Sequence, residues 1–190
     1  MKRDYIINYM LFELNNLAIK KTDIYLNQDE IDTLKKYIER VELEKNEIIT
    51  LNNDNYIYFI EQGILANWIN YGNKKRIIHF SKEGEFVNIN NSLKLKVQAI
   101  KVTCMWRINR NKIENAFSNS HKAYNIYKLL WDNHTSILED RIACLLSSTL
   151  KERYLNLYKN LKEYINYIPN NMIAQYLGTT PQTLSRIKNQ

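Results

Sequence analysis

The chain has 190 residues, a hydrophobic fraction of 45% and a formal net charge of +7. That length allows one large domain or two small ones, the apolar content suffices for a core, and the positive charge suits a polyanionic partner without specifying one. The two cysteines, Cys104 and Cys144, lie far apart with no CxxC spacing, which excludes a four-thiolate metal or cluster site built by this chain alone.

In chain order, Met1-Lys2-Arg3 ahead of a largely apolar run has the outline of a signal peptide. Asp4, Asn8 and Glu13 interrupt it, and no small-residue cleavage site follows. No stretch reaches the length of a membrane span, so the expectation is a soluble cytoplasmic protein with no membrane partner. Residues 4–18 predict an amphipathic helix with Tyr5, Tyr9, Phe12 and Leu17 near one face. Asn27 as N-cap, with Glu30 three residues on, predicts a second helix to about Ile38.

From Val41 the period changes to two. Val41, Leu43, Ile48, Ile49 and Tyr56–Ile60 predict short strands between Asn-rich turns. Glu61-Gln62-Gly63 predicts a turn, Ile64–Tyr71 a strand, and Gly72-Asn73 a hairpin into Ile77–Phe80. Lys82–Phe86 turns again, and Val97–Ile108 predicts one further alternating strand. Several short strands at even spacing argue for a sandwich or barrel.

Helical signals return with a short helix at Ile113–Phe117 and a long one from His121. In the long helix Tyr124, Tyr127, Trp131, His134, Leu138, Arg141 and Leu145 step by three and four, a heptad-like seam suited to a two-stranded parallel dimer. Leu130, Ile137 and Cys144 make a flanking stripe able to pack on the strands. A basic helix over about Leu150–Leu161 follows.

The last segment, Ile168–Ile187, carries the sharpest pattern. Ile173, Tyr176 and Leu177 share one helical face, and so do Leu184 and Ile187. Gly178 between them suits a left-handed helix end, and Thr180-Pro181 restarts a helix as N-cap and first residue. Two short helices with a tight Gly-bearing turn predict a helix-turn-helix.

The run Ile173-Ala-Gln-Tyr-Leu-Gly-Thr-Thr-Pro-Gln-Thr-Leu-Ser-Arg-Ile187 closely resembles the DNA-binding motif of the Crp/Fnr family, in the short form with no wing after the recognition helix. Tyr58–Gly63 and His79–Phe86 resemble that family's β-roll turns. The resemblance implies a bacterial transcription factor of α+β class: a β-roll (jelly roll) sensor over residues 1–117, a dimerisation helix over 118–148 and a helix-turn-helix domain over 149–190. It implies a homodimer on a pseudo-palindromic double-stranded DNA operator, with RNA polymerase as a further partner. Thr180, Gln182, Thr183, Ser185, Arg186 and Lys188 are then the DNA-contacting candidates. Gln182, Ser185 and Arg186 suit base edges, and Thr180, Thr183 and Lys188 suit phosphates. Arg186 matches the family's base-reading arginine, whereas Gln182 stands where many members carry glutamate. Tyr124, Tyr127, Trp131, His134, Leu138 and Leu145 are the dimerisation candidates.

Cyclic-nucleotide-binding members carry, after a Gly-Glu turn, a short helix with a Glu for the ribose and an Arg for the phosphate. Here Gly84-Glu85-Phe86 keep the turn, but Val87–Lys96 holds no Arg and no Gly-rich cradle. Lys94 and Lys96 supply only point charges. Glu85, Phe86, Lys94 and Lys96 therefore outline a degenerate effector pocket for which cyclic AMP is not expected, and the effector is unknown. His79, His121 and His134 are scattered without an HxH pair, and neither a GxSxG nor a P-loop is present, so no metal, cofactor or enzyme activity is expected. The alternative is a β-roll sensor or interaction protein with a vestigial DNA-binding motif.

Overall fold

The structure, a computed structural model, describes residues 5, 7–13, 16, 26–50, 55–72, 74–88, 95–117 and 121–189. Among the described residues, eight strands form two antiparallel four-stranded sheets. They are β1 (Ile38–Leu43), β2 (Ile48–Thr50), β3 (Tyr56–Gln62), β4 (Ile64–Tyr71), β5 (Lys74–Lys82), β6 (Phe86–Asn88), β7 (Lys96–Ala99) and β8 (Thr103–Asn109). One sheet has the order β1-β8-β3-β6, the other β2-β7-β4-β5.

Both faces of each sheet are covered, which is why β3 and β8 read as nearly continuous apolar runs. Along β3, Ile57 and Phe59 meet helices while Tyr58 and Ile60 meet the opposing sheet. Along β4, Leu65 faces the space between the sheets, and Ile64, Ala66 and Trp68 face the C-terminal helices. The order of layers is thus helices, first sheet, second sheet, helices. Gly63 makes the corner from β3 to β4 at φ +116, where an added Cβ would lie 2.8 Å from the Thr103 Cα.

The first helical layer holds α1 (helical through 7–13), α2 (Gln28–Lys35), α3 (Arg110–Ala116) and the first half of α4 (Lys122–Ser147). The expected capping box is present: Asn27 Oδ1 accepts from the Glu30 amide and Glu30 Oε2 from the Asn27 amide, both at 2.9 Å. The last layer holds α5 (Leu150–Leu161), α6 (Asn170–Leu177) and α7 (Pro181–Lys188), with a 3-10 turn at Ile165–Tyr167. Thr149 caps α5 in a second capping box with Glu152.

Four sequence expectations need correction. The strand expected over Val97–Ile108 is two strands in different sheets. The chain turns at Ile100–Val102, with Thr103 Oγ1 donating to the Lys101 carbonyl at 2.9 Å, and the apolar alternation carries through that corner. The second helix ends at Lys35, because Ile38 pairs with Ile108 as the first residue of β1. The strand expected over Ile77–Phe80 runs the full length of β5. In α1, Tyr5, Tyr9 and Phe12 are exposed, and the aliphatic side with Ile7, Met10 and Leu11 is buried. Both stripes are apolar, but a tyrosine can keep its hydroxyl in water and an aliphatic chain gains nothing there. Leu17 lies outside the described residues.

Candidate functional site

α6 and α7 are held at a fixed angle by local chemistry. Gly178 sits at φ 72, ψ 35, the left-handed well that a side chain disfavours. The Thr179 amide closes onto the Ala174 carbonyl at 2.9 Å. Thr180 then caps α7, its Oγ1 accepting from the Thr183 amide at 3.2 Å, with Pro181 at the first helical position. Ile173, Ala174, Leu177 and Leu184 are buried together in the core that joins these helices to the second sheet. Tyr176 packs at the edge of the same core, half-buried, its ring 5.2 Å from that of Phe80 on β5.

On the outward side of α7, Gln182, Ser185 and Arg186 are exposed at spacings of three and four, so they share one face. No hydrogen bond or ion pair within the described residues engages the Arg186 guanidinium. The phosphate candidates differ. Thr180 and Thr183 hold each other, hydroxyl to hydroxyl, at 3.0 Å. Lys188 folds back, its Nζ donating to Asn170 Oδ1 at 2.7 Å.

The seam candidates on α4 separate into two edges about 60° apart, since each set repeats every seven residues and the sets are offset by three. Tyr124 (66% exposed), Trp131 and Leu145 are open to solvent, with Leu138 half-buried between them. Ile142 and Leu146 extend this open stripe and were not anticipated. Tyr127 and His134 face the chain's own body. Tyr127 donates to the Arg110 carbonyl at 2.6 Å. Burial, and then the nearby His79 charge, hold His134 below the ordinary imidazole value. Arg141, on the same edge, donates to the Tyr176 carbonyl and stacks 3.8 Å over the Tyr176 ring. No periodicity could have revealed that link, which spans 35 residues.

The three effector-pocket candidates among the described residues are not brought together. Glu85 sits beside His79, Oε2 to Nε2 3.4 Å, and lines a cavity of about 230 Å³ between β5 and α5. Phe86 is packed on Phe59 at 4.9 Å beneath the helical layer. Lys96 belongs to the other sheet, 5.2 Å from the Trp68 ring. Lys94 lies outside the described residues. The space between the sheets is filled by Leu43, Tyr58, Ile60, Leu65, Val97 and Met105. Among the described residues no helix is long and apolar enough to cross a membrane.

No protein-family model and no curated protein matches the sequence. Solved structures do match. FixK2 from Bradyrhizobium japonicum aligns with a TM-score of 0.69 at 19% identity, covering 80% of this chain and 83% of that one. A putative transcriptional regulator of the Crp/Fnr family from Eubacterium rectale gives 0.68 at 16%, covering 86% and 82%. A cyclic nucleotide-binding domain from Methylobacillus flagellatus gives 0.56 at 15%, covering 74% and 80%. The chain therefore has a cyclic-nucleotide-binding-like β-sandwich joined to a long helix. At these identities the likeness speaks of the fold and of nothing finer.

Proposed function

We propose that this protein is a sequence-specific DNA-binding regulator of the Crp/Fnr type, not an enzyme, that acts as a homodimer in the cytoplasm of a bacterium. The observation that carries this reading is the exposed face of α7. Gln182, Ser185 and Arg186 stand there on a short helix whose entry angle is set by Gly178 and Thr180-Pro181. Gln pairs bidentately with adenine, Arg with guanine, and Ser adapts to either. The fold likeness to FixK2 and to the Eubacterium rectale regulator supports the reading. In it, α6 and α7 form the helix-turn-helix and α7 enters the major groove.

Two protomers would meet along the open edge of α4, through Tyr124, Trp131, Leu138 and Leu145. The chain then divides as a sensor-like sandwich over 1–117, a dimerisation helix over 118–148 and a DNA-binding region over 149–190. Cyclic AMP is not its effector, because Val87–Lys96, which follow the Gly84-Glu85-Phe86 turn, carry no arginine and the interior between the sheets is occupied by side chains. RNA polymerase would be a further partner.

Selection of bound sequences from random duplex DNA with the purified protein tests this. The expected product is a pseudo-palindrome with half-sites about 10 bp between centres. No enrichment over the input pool would leave only a sensor or interaction protein with a vestigial motif.

A further inference from the structure

Where β5, α4, α5 and α6 converge there is a cavity of about 430 Å³, the size of a small-ligand pocket. It is separate from the filled space between the sheets. α4 presents to it Ile137, Arg141 and Cys144, which lie to the inward side of the open Tyr124–Trp131 edge. Leu157 and Tyr176 complete an apolar wall, and Asn156 and Asn160 add amide groups.

Two guanidiniums dominate this cavity. Arg141 is half-buried and held in place by the Tyr176 carbonyl and ring. Arg153 is half-buried too, its Nη1 donating to the Leu145 carbonyl at 3.3 Å and the Ser148 carbonyl at 2.8 Å. The Arg153 Nε is buried with no hydrogen-bond partner among the described residues. No ion pair within the described residues engages either arginine, although the exposed Asp140 also lines the cavity. Two like charges taken partly out of water in one cavity, neither of them paired with the exposed Asp140, are costly unless an anion joins them. Burial first, and the Arg153 charge as well, hold Arg141 below its ordinary value.

We propose that this cavity binds a small organic anion, its carboxylate or phosphate group seated between Arg141 and Arg153 and its body against Ile137, Leu157 and Tyr176. A guanidinium offers such a group paired donors in a plane, and partial burial of both arginines strengthens them. The ligand would touch the β-sandwich at His79, the back of the seam helix and both α5 and α6 at once. Its occupancy would therefore tighten the seating of α6 and α7 on the second sheet. The site stands whether or not α7 enters DNA.

The test is calorimetric titration of the full chain with benzoate, phenyl phosphate and, as a neutral control of the same shape, benzyl alcohol. At least one anion should give saturable binding, and the better of the two identifies the head group. Benzyl alcohol should bind at least tenfold more weakly. Arg141→Gln, which removes one guanidinium, should weaken the better anion at least tenfold. Ile137→Trp, which fills the cavity without touching a charge, should abolish binding while the melting temperature of the free protein holds. Absence of saturation by both anions overturns the proposal. So does equal binding of benzyl alcohol, or unchanged affinity in Arg141→Gln, which keeps the test decisive if the Trp variant fails to fold.

Discussion

Two edges of one helix carry the same heptad spacing and meet different fates. Along α4, Tyr124, Trp131, Leu138 and Leu145 repeat every seven residues, and all but the half-buried Leu138 are open to solvent. Tyr127, His134 and Arg141 repeat at the same interval, three residues on, and are engaged by Arg110, by the neighbourhood of His79 and by Tyr176. A repeat in sequence thus marks a helix face that needs cover, and does not say whose surface covers it. α7 shows the same contrast on a smaller scale, with Arg186 open and Lys188 held by Asn170.

The largest expected effect breaks the outward edge. Burying Trp131 and Leu138 across a two-fold seam contributes about 1.5–3 kcal/mol for each side chain fully covered. Leu138→Glu places a carboxylate in that seam in both protomers, so sedimentation velocity should show monomers at concentrations where the parent is a dimer. A variant that sediments as the parent does removes this edge from the dimer.

Next comes the contrast on α7. Arg186→Ala should cost about 1–3 kcal/mol on the selected site and relax preference at one symmetric pair of positions, because the lost bonds are base-specific. Lys188→Ala should weaken all sequences about equally. Its bond to a neutral amide yields to phosphate, so the slope of log affinity against log salt should become shallower by roughly two units per dimer. Binding of both variants to the selected and a scrambled duplex at three salt concentrations separates the roles. If Arg186→Ala lowers both affinities in parallel, Arg186 is a phosphate clamp and Gln182 and Ser185 must read the bases.

A smaller effect probes the inward edge. Tyr127→Phe removes the donor to the Arg110 carbonyl and should lower the unfolding free energy by about 1 kcal/mol in urea, with no change in association. A shift in the monomer–dimer equilibrium instead would place Tyr127 in the seam.

Much of the architecture was legible because it is written in local chemistry. The Asn27–Glu30 box, the Gly178 turn and the Thr180-Pro181 restart each satisfy backbone groups within a few residues, and each stands where those residue types demand. Most strands were legible as apolar runs, but β6 (Phe86–Asn88), read as the end of a turn, was not, and neither were the sheets. Val97–Ile108 keeps its alternation through a corner, since the chain leaves one buried face only to enter another. The effector-pocket candidates failed for a related reason. Glu85 and Phe86 are adjacent, and adjacent strand-entry residues point to opposite faces. One lines a cavity beneath α5 and the other fills the core under α1. The junction cavity had no sequence signal, because Arg141, Arg153 and Tyr176 converge only after α4, α5 and α6 fold onto β5.

The smallest effect tests whether the inward edge carries a proton-linked contact. His134 is held below the ordinary imidazole value by burial first and by the His79 charge second. A lowered value in the folded state means that the unfolded chain takes up the proton more readily. The contribution to stability is then full above the ordinary value of about 6.5 and is lost as pH falls through it toward the folded value. Glu85, 3.4 Å from His79, tempers the repulsion, and water reaches part of the ring, so the melting point should fall by only on the order of 1 °C across this window. His134→Gln cannot titrate, so its melting point should be flatter than the parent's between about pH 7 and pH 5 and coincide with it above about pH 7. Because this edge lies outside the proposed seam, association should be indifferent to pH over that range in both proteins. A dimer that falls apart in acid in the parent and persists in His134→Gln would move His134 to the outward edge and erase the distinction between the two.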